Sequence, residues 1–193
     1  MKKLLVVVAV MTAVFANAQS SKREEGIKFG LKGGLNVANM YGDVKDNTFR
    51  TSLHIGVVSE IIVSDNFSIQ PELLFSGQGY SDEGFDGYSR YKLNYINLPV
   101  MMKYYVADRL SIEAGPQVGF LVSGKHKTGQ TNDDVDDLNT VDFSVCAGAG
   151  YELKSGVFFQ LRYNLGITNV YEAKNPVVEY SNGVFQASVG ILF

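Results

Sequence analysis

Residues 110–122, LSIEAGPQVGFLV, separate apolar from polar side chains by position. The apolar members are Leu110, Ile112, Ala114, Pro116, Val118, Phe120 and Val122. The small or polar residues between them are Ser111, Glu113, Gly115, Gln117 and Gly119. Successive side chains of an extended strand point to opposite faces. This alternation therefore predicts a β-strand with one apolar face and one polar face.

The same alternation recurs along the chain, whereas helical spacing of apolar residues is hard to find after Ser20. It predicts eight strands, at residues 28–38, 51–63, 67–80, 91–106, 110–122, 140–153, 157–167 and 183–193. Tight turns at 64–66, 107–109 and 154–156 alternate with longer polar segments at 39–50, 81–90, 123–139 and 168–182. Outer-membrane barrels have short periplasmic turns and long extracellular loops. We therefore predict an all-β fold, an eight-stranded antiparallel up-and-down transmembrane β-barrel with both termini in the periplasm.

Alternation alone leaves two orientations open, because the apolar face could point inward, as in a soluble lipocalin-like barrel, or outward to lipid. The polar faces carry about one charged residue per strand among many Gly, Ser and Gln. That density is low for a water-exposed exterior and fits a packed lumen, which favours the transmembrane orientation. Aromatic residues near the strand ends resemble two interfacial girdles. They are Phe29, Phe67, Tyr104, Tyr151, Phe159 and Phe193 at the periplasmic rim, and Tyr91, Phe120, Phe143 and Phe185 at the outer rim.

The first residues of the chain have the pattern of a secretory signal. Lys2 and Lys3 precede an apolar run at residues 4–15, and Ala16 and Ala18 supply small side chains at a cleavage position. The run is shorter than the roughly 20 residues of a transmembrane helix. We predict a signal peptide over residues 1–18 cleaved after Ala18, a short segment over 19–27, and an outer-membrane barrel domain over 28–193.

Charge and cysteine content exclude several classes of function. A net charge of −3 gives no electrostatic footprint for nucleic acid. Cys146 is the one cysteine, which excludes an intramolecular disulfide and multi-cysteine metal sites. His54, with Ser52 on the same face and Ser144 across the barrel, could form a hydrolase or acyltransferase mouth, but no carboxylate is placed to orient it. A hydrogen-bonded lumen histidine is favoured, and we predict no catalytic residues and no cofactor.

The third long loop is rich in carboxylates. Its weak candidates for binding a divalent cation are Asp133, Asp134, Asp136 and Asp137. Their spacing does not match an EF-hand, which needs its glycine and a terminal glutamate. A solvated acidic loop is favoured, and we predict no defined metal site.

Three prolines conflict with regular strands. Pro71, Pro99 and Pro116 fall inside predicted strands, where each removes a backbone donor from the ladder. In the strand at 91–106 the apolar residues also change parity between Tyr95 and Ile96. A one-residue slip of this kind is what a β-bulge produces, and bulges tolerate proline. We therefore predict a bulge in that strand.

Six short motifs resemble the small outer-membrane β-barrel family of Bacteroidota, labelled PorT-like, with an OmpA/OmpX-type eight-stranded architecture. They are KGGLN at 32–36, IQPELL at 69–74, INLPV at 96–100, AGP at 114–116, GAGYE at 148–152 and RYNLG at 162–166. The terminal Phe193 resembles the C-terminal signal read by the barrel-insertion machinery. The resemblance implies the fold and the outer-membrane location, but it implies no activity.

Charged side chains on the polar faces concentrate near the periplasmic end. These predicted lumen charges are Lys32, Glu60, Glu72, Lys103, Glu113, Glu152 and Arg162. Isolated charges in so narrow a barrel are costly, so the four carboxylates and three bases should pair in a network with Arg162 as its hub. Such a plug would leave only a polar pocket open to the outside. Its predicted lining is His54, Gln78, Gln117 and Gln186.

The sequence therefore predicts a non-enzymatic outer-membrane barrel with a structural, surface-interaction or envelope-maintenance role. The alternative is a narrow channel or small-ligand conduit, followed by a secretion-associated accessory barrel or a barrel-mouth enzyme. The predicted partners are outer-membrane lipid and lipopolysaccharide, the barrel-insertion machinery and an unidentified protein, but no nucleic acid.

Overall fold

The computed structural model describes residues 26–42, 47–84, 87–128, 131–134, 138–170 and 180–193. The predicted signal peptide at 1–18 lies outside the described residues, as does nearly all of the segment at 19–27. In the part of the chain that is described, no helix is long and apolar enough to cross a membrane.

Eight long strands make up the described fold. They are β1 Gly26–Gly42, β2 Arg50–Ser64, β3 Phe67–Gly84, β4 Gly87–Ala107, β5 Leu110–Thr128, β6 Val141–Glu152, β7 Val157–Gly166 and β8 Tyr180–Leu192. Two short strands, Asn47–Thr48 and Thr131–Asp134, pair with β3 and β5. Each long strand pairs antiparallel with its chain neighbours, and β1 also pairs with β8 from Gly30 opposite Leu192 to Gly42 opposite Tyr180. The sheet closes on itself, which confirms the predicted eight-stranded antiparallel barrel.

The two ends of the barrel differ. Tight turns at 65–66, 108–109 and 154–155 lie at one end with the strand termini Gly26 and Leu192, and we call it the turn end. The opposite end is the loop end. There the predicted loop 81–90 is wrong in extent, because β3 continues to Gly84 and pairs with β4 as far as Gly87. The reason is physical: ladder hydrogen bonds continue after the apolar alternation stops, since backbone pairing needs no apolar face.

Apolar side chains cover the outside of the barrel and polar ones fill the inside. On β7, Leu161 is 55% exposed whereas its neighbours Gln160 and Arg162 are 2% and 1% exposed. Ile55 on β2 is 67% exposed and the adjacent His54 is 2% exposed. This arrangement is the reverse of a soluble barrel, which would hide its apolar face. It matches the outward-facing apolar band of a membrane barrel.

The prolines interrupt pairing without shifting it. Pro71 pairs with Val100, Pro99 with Gln117 and Pro116 with Val145, and the register is the same on both sides of each proline. The bulge lies on β5 instead, where Val122 is the extra residue opposite the step from Asn94 to Tyr95 on β4. The bulge predicted between Tyr95 and Ile96 is thus wrong in strand, whereas β4 itself has an irregularity farther on, between Tyr105 and Ala107.

The parity change in β4 has a different origin. Leu93 and Tyr95, each 1% exposed, point inward on the same face as Lys103, so β4 keeps one face throughout. They pack with Met40 and Val170 into an apolar cluster against Tyr80, Leu121 and Leu138. We call this group the apolar cap, and it lies inside the loop end. Tyr91, assigned to the outer girdle by the sequence pattern, lies on the inward parity as well, which corrects that assignment.

Candidate functional site

The inward faces of the strands bring all seven sequence-predicted charges into the turn-end half of the lumen. They are Lys32, Glu60, Glu72, Lys103, Glu113, Glu152 and Arg162, each at most 8% exposed. The strands position them because each charge occupies an inward parity between two outward-facing neighbours, most of which are apolar. Charges this deeply buried need direct partners, since water cannot stabilise them there.

Arg162 on β7 joins two carboxylates from other strands. Its Nη2 and Nη1 atoms donate to Glu72 Oε1 at 2.8 Å and Glu72 Oε2 at 3.1 Å, a two-pronged contact. Its Nε atom donates to Glu113 Oε1 at 2.9 Å. The planar guanidinium is suited to this work because its donors match the spacing of carboxylate oxygens.

Two further side chains close these contacts into a ring. Lys32 Nζ donates to Glu72 Oε2 at 2.9 Å and to Gln160 Oε1 at 3.0 Å. Gln160 Nε2 donates in turn to Glu113 Oε2 at 2.9 Å. Arg162, Glu72, Lys32, Gln160 and Glu113 thus form a closed cycle, which we call the central ring. It contains two bases and two carboxylates, so its formal charge is zero.

A second group of charges lies beside the central ring. Lys103 Nζ is 3.3 Å from Glu60 Oε1 and donates to Gln70 Oε1 at 2.9 Å. Gln70 Nε2 donates to Glu72 Oε1 at 2.7 Å, which links the group to the central ring. The Tyr105 hydroxyl donates to Glu60. The network therefore runs without a break from β7 across the lumen to β2 and β4.

The remaining carboxylate finds its base at the rim. Lys28 Nζ lies 3.3 Å from Glu152 Oε1, and the Lys28 side chain is 41% exposed. The Tyr105 hydroxyl also approaches Glu152 Oε2 at 3.4 Å. Lys28 therefore balances the predicted set, in which four carboxylates faced only three bases.

Sequence reasoning missed four members of the network. They are Lys28, Gln70, Tyr105 and Gln160. Each lies two or four positions from a predicted charge on the same strand, so strand periodicity places it on the same inward face. This parity was the signal that could have found them, but a search for charges alone passes over the amides and the phenol.

The predicted pocket residues are buried, so the expected pocket open at the loop end is wrong. The four are His54, Gln78, Gln117 and Gln186, each at most 3% exposed. The apolar cap lies between them and the loop end. Backbone contacts hold the cap segments together, since Asn139 N donates to Val170 O at 2.8 Å. Met40 on β1 and Leu93 and Tyr95 on β4 thus help to close the loop end of the lumen.

The hydrogen-bond partners of His54 are Asn36 and Ser188. Its Nδ1 atom lies 2.7 Å from Asn36 Oδ1 and its Nε2 atom 2.8 Å from Ser188 Oγ. Ser52, which sequence reasoning placed near it, donates instead to the carbonyl of Gly77 at 2.6 Å. Both ring nitrogens therefore have neutral hydrogen-bond partners, so His54 is a hydrogen-bonded lumen histidine.

The remaining predicted sites are Phe193 at the turn end and the acidic segment that follows β5 at the loop end. Phe193 exchanges backbone hydrogen bonds with Phe29 and is 74% exposed on the outer surface, and its role in insertion stays a prediction. Asp133 and Asp134 lie on the short strand after β5, but their side chains are not described. Asp136 and Asp137 lie outside the described residues. Among the described residues, no group of three or more His, Cys, Asp or Glu could hold a metal ion.

Comparison with known proteins agrees with this geometry. The family model of the outer membrane protein beta-barrel domain matches residues 17–172, so the chain belongs to that family. No curated protein matches the sequence significantly. The fold is similar to the crystal structure of Neisserial surface protein A (NspA), with a TM-score of 0.60, 12% identity, 88% of this chain covered and 100% of that one. It is also similar to Ail, the attachment invasion locus protein of Yersinia pestis, with a TM-score of 0.54, 10% identity and the same two coverages.

Proposed function

We propose that this protein is a non-enzymatic structural barrel of the outer membrane, with a surface-interaction or envelope-maintenance role. One observation carries the proposal: the lumen is filled by a charge-balanced ion network in its turn-end half and by the apolar cap at its loop end. A conduit needs a continuous hydrated path, and both features obstruct one. A barrel of eight strands has little width to spare beyond its own side chains.

The orientation and partners belong to the same proposal. The signal peptide is cleaved after Ala18, the turn end faces the periplasm, and the loop end faces the exterior. The insertion machinery recognises Phe193, and the folded barrel contacts lipid, lipopolysaccharide and a protein partner. The six motifs quoted above support membership of the PorT-like barrels of Bacteroidota within the wider family.

Conductance in planar bilayers tests the closed lumen. The full-length mature protein should give currents no larger than the empty bilayer, because the central ring and the apolar cap lie in series. Incorporation is checked on the same sample, since a folded outer-membrane barrel resists SDS at room temperature and changes mobility after boiling. Stable, large single-channel currents from folded wild-type protein would overturn the proposal and favour the narrow channel.

A further inference from the structure

One buried carboxylate of the lumen lies outside the turn-end network. The four network carboxylates each have a lysine or arginine nitrogen at 3.3 Å or less. Asp142 on β6 is 6% exposed, and its hydrogen-bond partners among the described residues are two neutral donors. The Thr168 hydroxyl donates to its Oδ1 atom at 2.6 Å, and Asn182 Nδ2 donates to its Oδ2 atom at 3.3 Å. An ionised carboxylate is costly to bury without a positive partner.

Two inward-facing glycines let amide side chains approach Asp142 from both sides. On one side, Gly119 on β5 pairs with Asp142, and a Cβ on Gly119 would lie 2.7 Å from Asn97 Oδ1 on β4 and 3.6 Å from the Asp142 carbonyl oxygen. The Asn97 amide therefore leans over Gly119 toward β6. On the other side, a Cβ on Gly166 of β7 would lie 2.9 Å from the carbonyl oxygen of Asn182 on β8. The Asn182 side chain reaches past Gly166 to contact Asp142.

Both amides have an oxygen without a hydrogen-bond partner. Asn182 is 2% exposed and Asn97 is 1% exposed, and the Oδ1 atom of each is buried and unpartnered. A buried polar atom in this condition calls for an ion or a water as its partner. The Asp142 carboxylate also has lone pairs beyond the two that accept from Thr168 and Asn182. Carboxylate and amide oxygens are the ligands that hard cations take.

Charge balance selects the valence of the cation. The central ring has two bases and two carboxylates, and outside it Lys103 pairs with Glu60 and Lys28 with Glu152. Within the described lumen, the uncompensated charge is thus the single negative charge of Asp142. Met40 of the apolar cap pairs with Asn182 in the ladder, so the site adjoins apolar side chains. A monovalent cation cancels the charge there, whereas a divalent one would leave a positive charge buried.

We propose that Asp142, Asn182 and Asn97 bind one alkali-metal cation, sodium or potassium, at the base of the apolar cap. Asp142 supplies the charge, and the two amide oxygens supply neutral ligands of the kind that hold alkali cations in channel filters. Thr168 positions the carboxylate, because its hydroxyl oxygen also accepts from the backbone N–H of Phe143 at 2.9 Å. The cation joins β4, β6 and β8, which do not pair with one another.

Urea unfolding of the full-length mature barrel in zwitterionic vesicles tests the proposal. Sodium chloride, potassium chloride and choline chloride are compared at equal ionic strength, with choline as the cation that oxygen ligands cannot coordinate. Near saturation, a tenfold rise in the alkali cation should raise the folding equilibrium constant of the wild type about tenfold, because the cation binds the folded state. The salt that acts at the lower concentration identifies the preferred ion.

D142N is the matched variant, since it keeps the size of the side chain and removes its charge. Its folding equilibrium constant should not depend on the cation. In choline chloride it should be more stable than the wild type, because no unpaired charge is buried. The control D108N, at a turn, should keep the cation dependence of the wild type. N182D adds a second carboxylate to the site and should shift its preference to Ca²⁺.

Three outcomes would overturn the proposal. Equal stability of the wild type in all three salts would show that Asp142 is neutralised by a proton instead. The same cation dependence in D142N would show a general effect of salt on the barrel. Stabilisation of the wild type by Ca²⁺ and by neither alkali cation would refute the monovalent site. If N182D does not fold, the comparison of the wild type with D142N decides. The closed lumen is tested separately by conductance, so it does not depend on these results.

Discussion

Replacing Arg162 by alanine tests whether the network stabilises the barrel. The change removes three hydrogen bonds, two to Glu72 and one to Glu113, from a side chain that is 1% exposed. It leaves two buried carboxylates in the central ring with Lys32 as the remaining base. Breaking a buried pair by removing one partner costs about 3–5 kcal/mol. We therefore expect Arg162→Ala to lower the free energy of unfolding by that amount.

A charge-balanced double variant is the matched control. In R162A/E113Q the ring keeps Lys32 and Glu72, whose Nζ and Oε2 atoms are 2.9 Å apart, and loses one charge of each sign. The new amide oxygen can still accept the hydrogen bond from Gln160. The double variant should therefore be more stable than Arg162→Ala alone, although it carries one more substitution. Lys154→Ala, at an exposed turn, should stay within about 0.5 kcal/mol of the wild type.

The assay is reversible urea unfolding in lipid vesicles, with the folded fraction measured by the mobility difference between unboiled and boiled samples. The reasoning fails if Arg162→Ala unfolds within about 1 kcal/mol of the wild type. It also fails if the double variant is less stable than the single one, because the loss would then reflect packing volume and not unpaired carboxylates.

Two further predictions concern the wall and the thiol. Gly34→Val should abolish folding, because its Cβ would collide with the carbonyl oxygen of Ala187; the readout is loss of the heat-modifiable band. The control Gly26→Ala should fold normally, since its Cβ meets nothing within 4 Å. A folded Gly34→Val variant would contradict the register of β1 and β8. Cys146 is fully buried, so the folded barrel should not react with a maleimide until urea unfolds it. Rapid labelling of the folded form would show that water reaches the middle of the lumen.

Strand periodicity predicts most of the fold because side chains along each barrel strand alternate between the lipid-facing side and the lumen. Along β7 every odd-numbered residue from Val157 faces out and every even-numbered one faces in. Hydropathy places Arg162 on the polar face, and the low charge density of the polar faces assigns that face to the lumen. The tight turns at 65–66 and 108–109 then fix the level of each inward residue by counting. The cluster of charges near the turn end follows from these two facts without any knowledge of contacts.

The apolar cap shows where that rule stops working. Leu93 and Tyr95 are apolar, so their pattern assigned them to lipid, yet both point inward. Periodicity reports the polarity of a face and not its direction, and the loop-end lumen is itself apolar. The predicted pocket was wrong for the same reason. The sequence pattern put no side chains between His54 or Gln78 and the loop end, whereas in the structure Met40 and Val170 lie there.

The partners within the network were beyond sequence reasoning for a separate reason. Whether Lys32 on β1 meets Glu72 on β3 or some other carboxylate depends on the stagger of neighbouring strands. That stagger is set by the whole closed ladder, in which Lys32 pairs with Gly56 on one side and Gly190 on the other. No local pattern encodes it.

The stagger also explains why a membrane barrel keeps so many buried charges. A buried ion network adds little net stability over an apolar filling, because desolvating the charges offsets their attraction. Its effect on alternative registers is larger. A one-residue slip of β7 would turn Arg162 out into the hydrocarbon, at about 2–4 kcal/mol near the midplane, and would leave Glu72 and Glu113 without their base. Several strands carry such a charge, so each slip is penalised separately. The network thereby selects the one closed register in which every charge finds its partner.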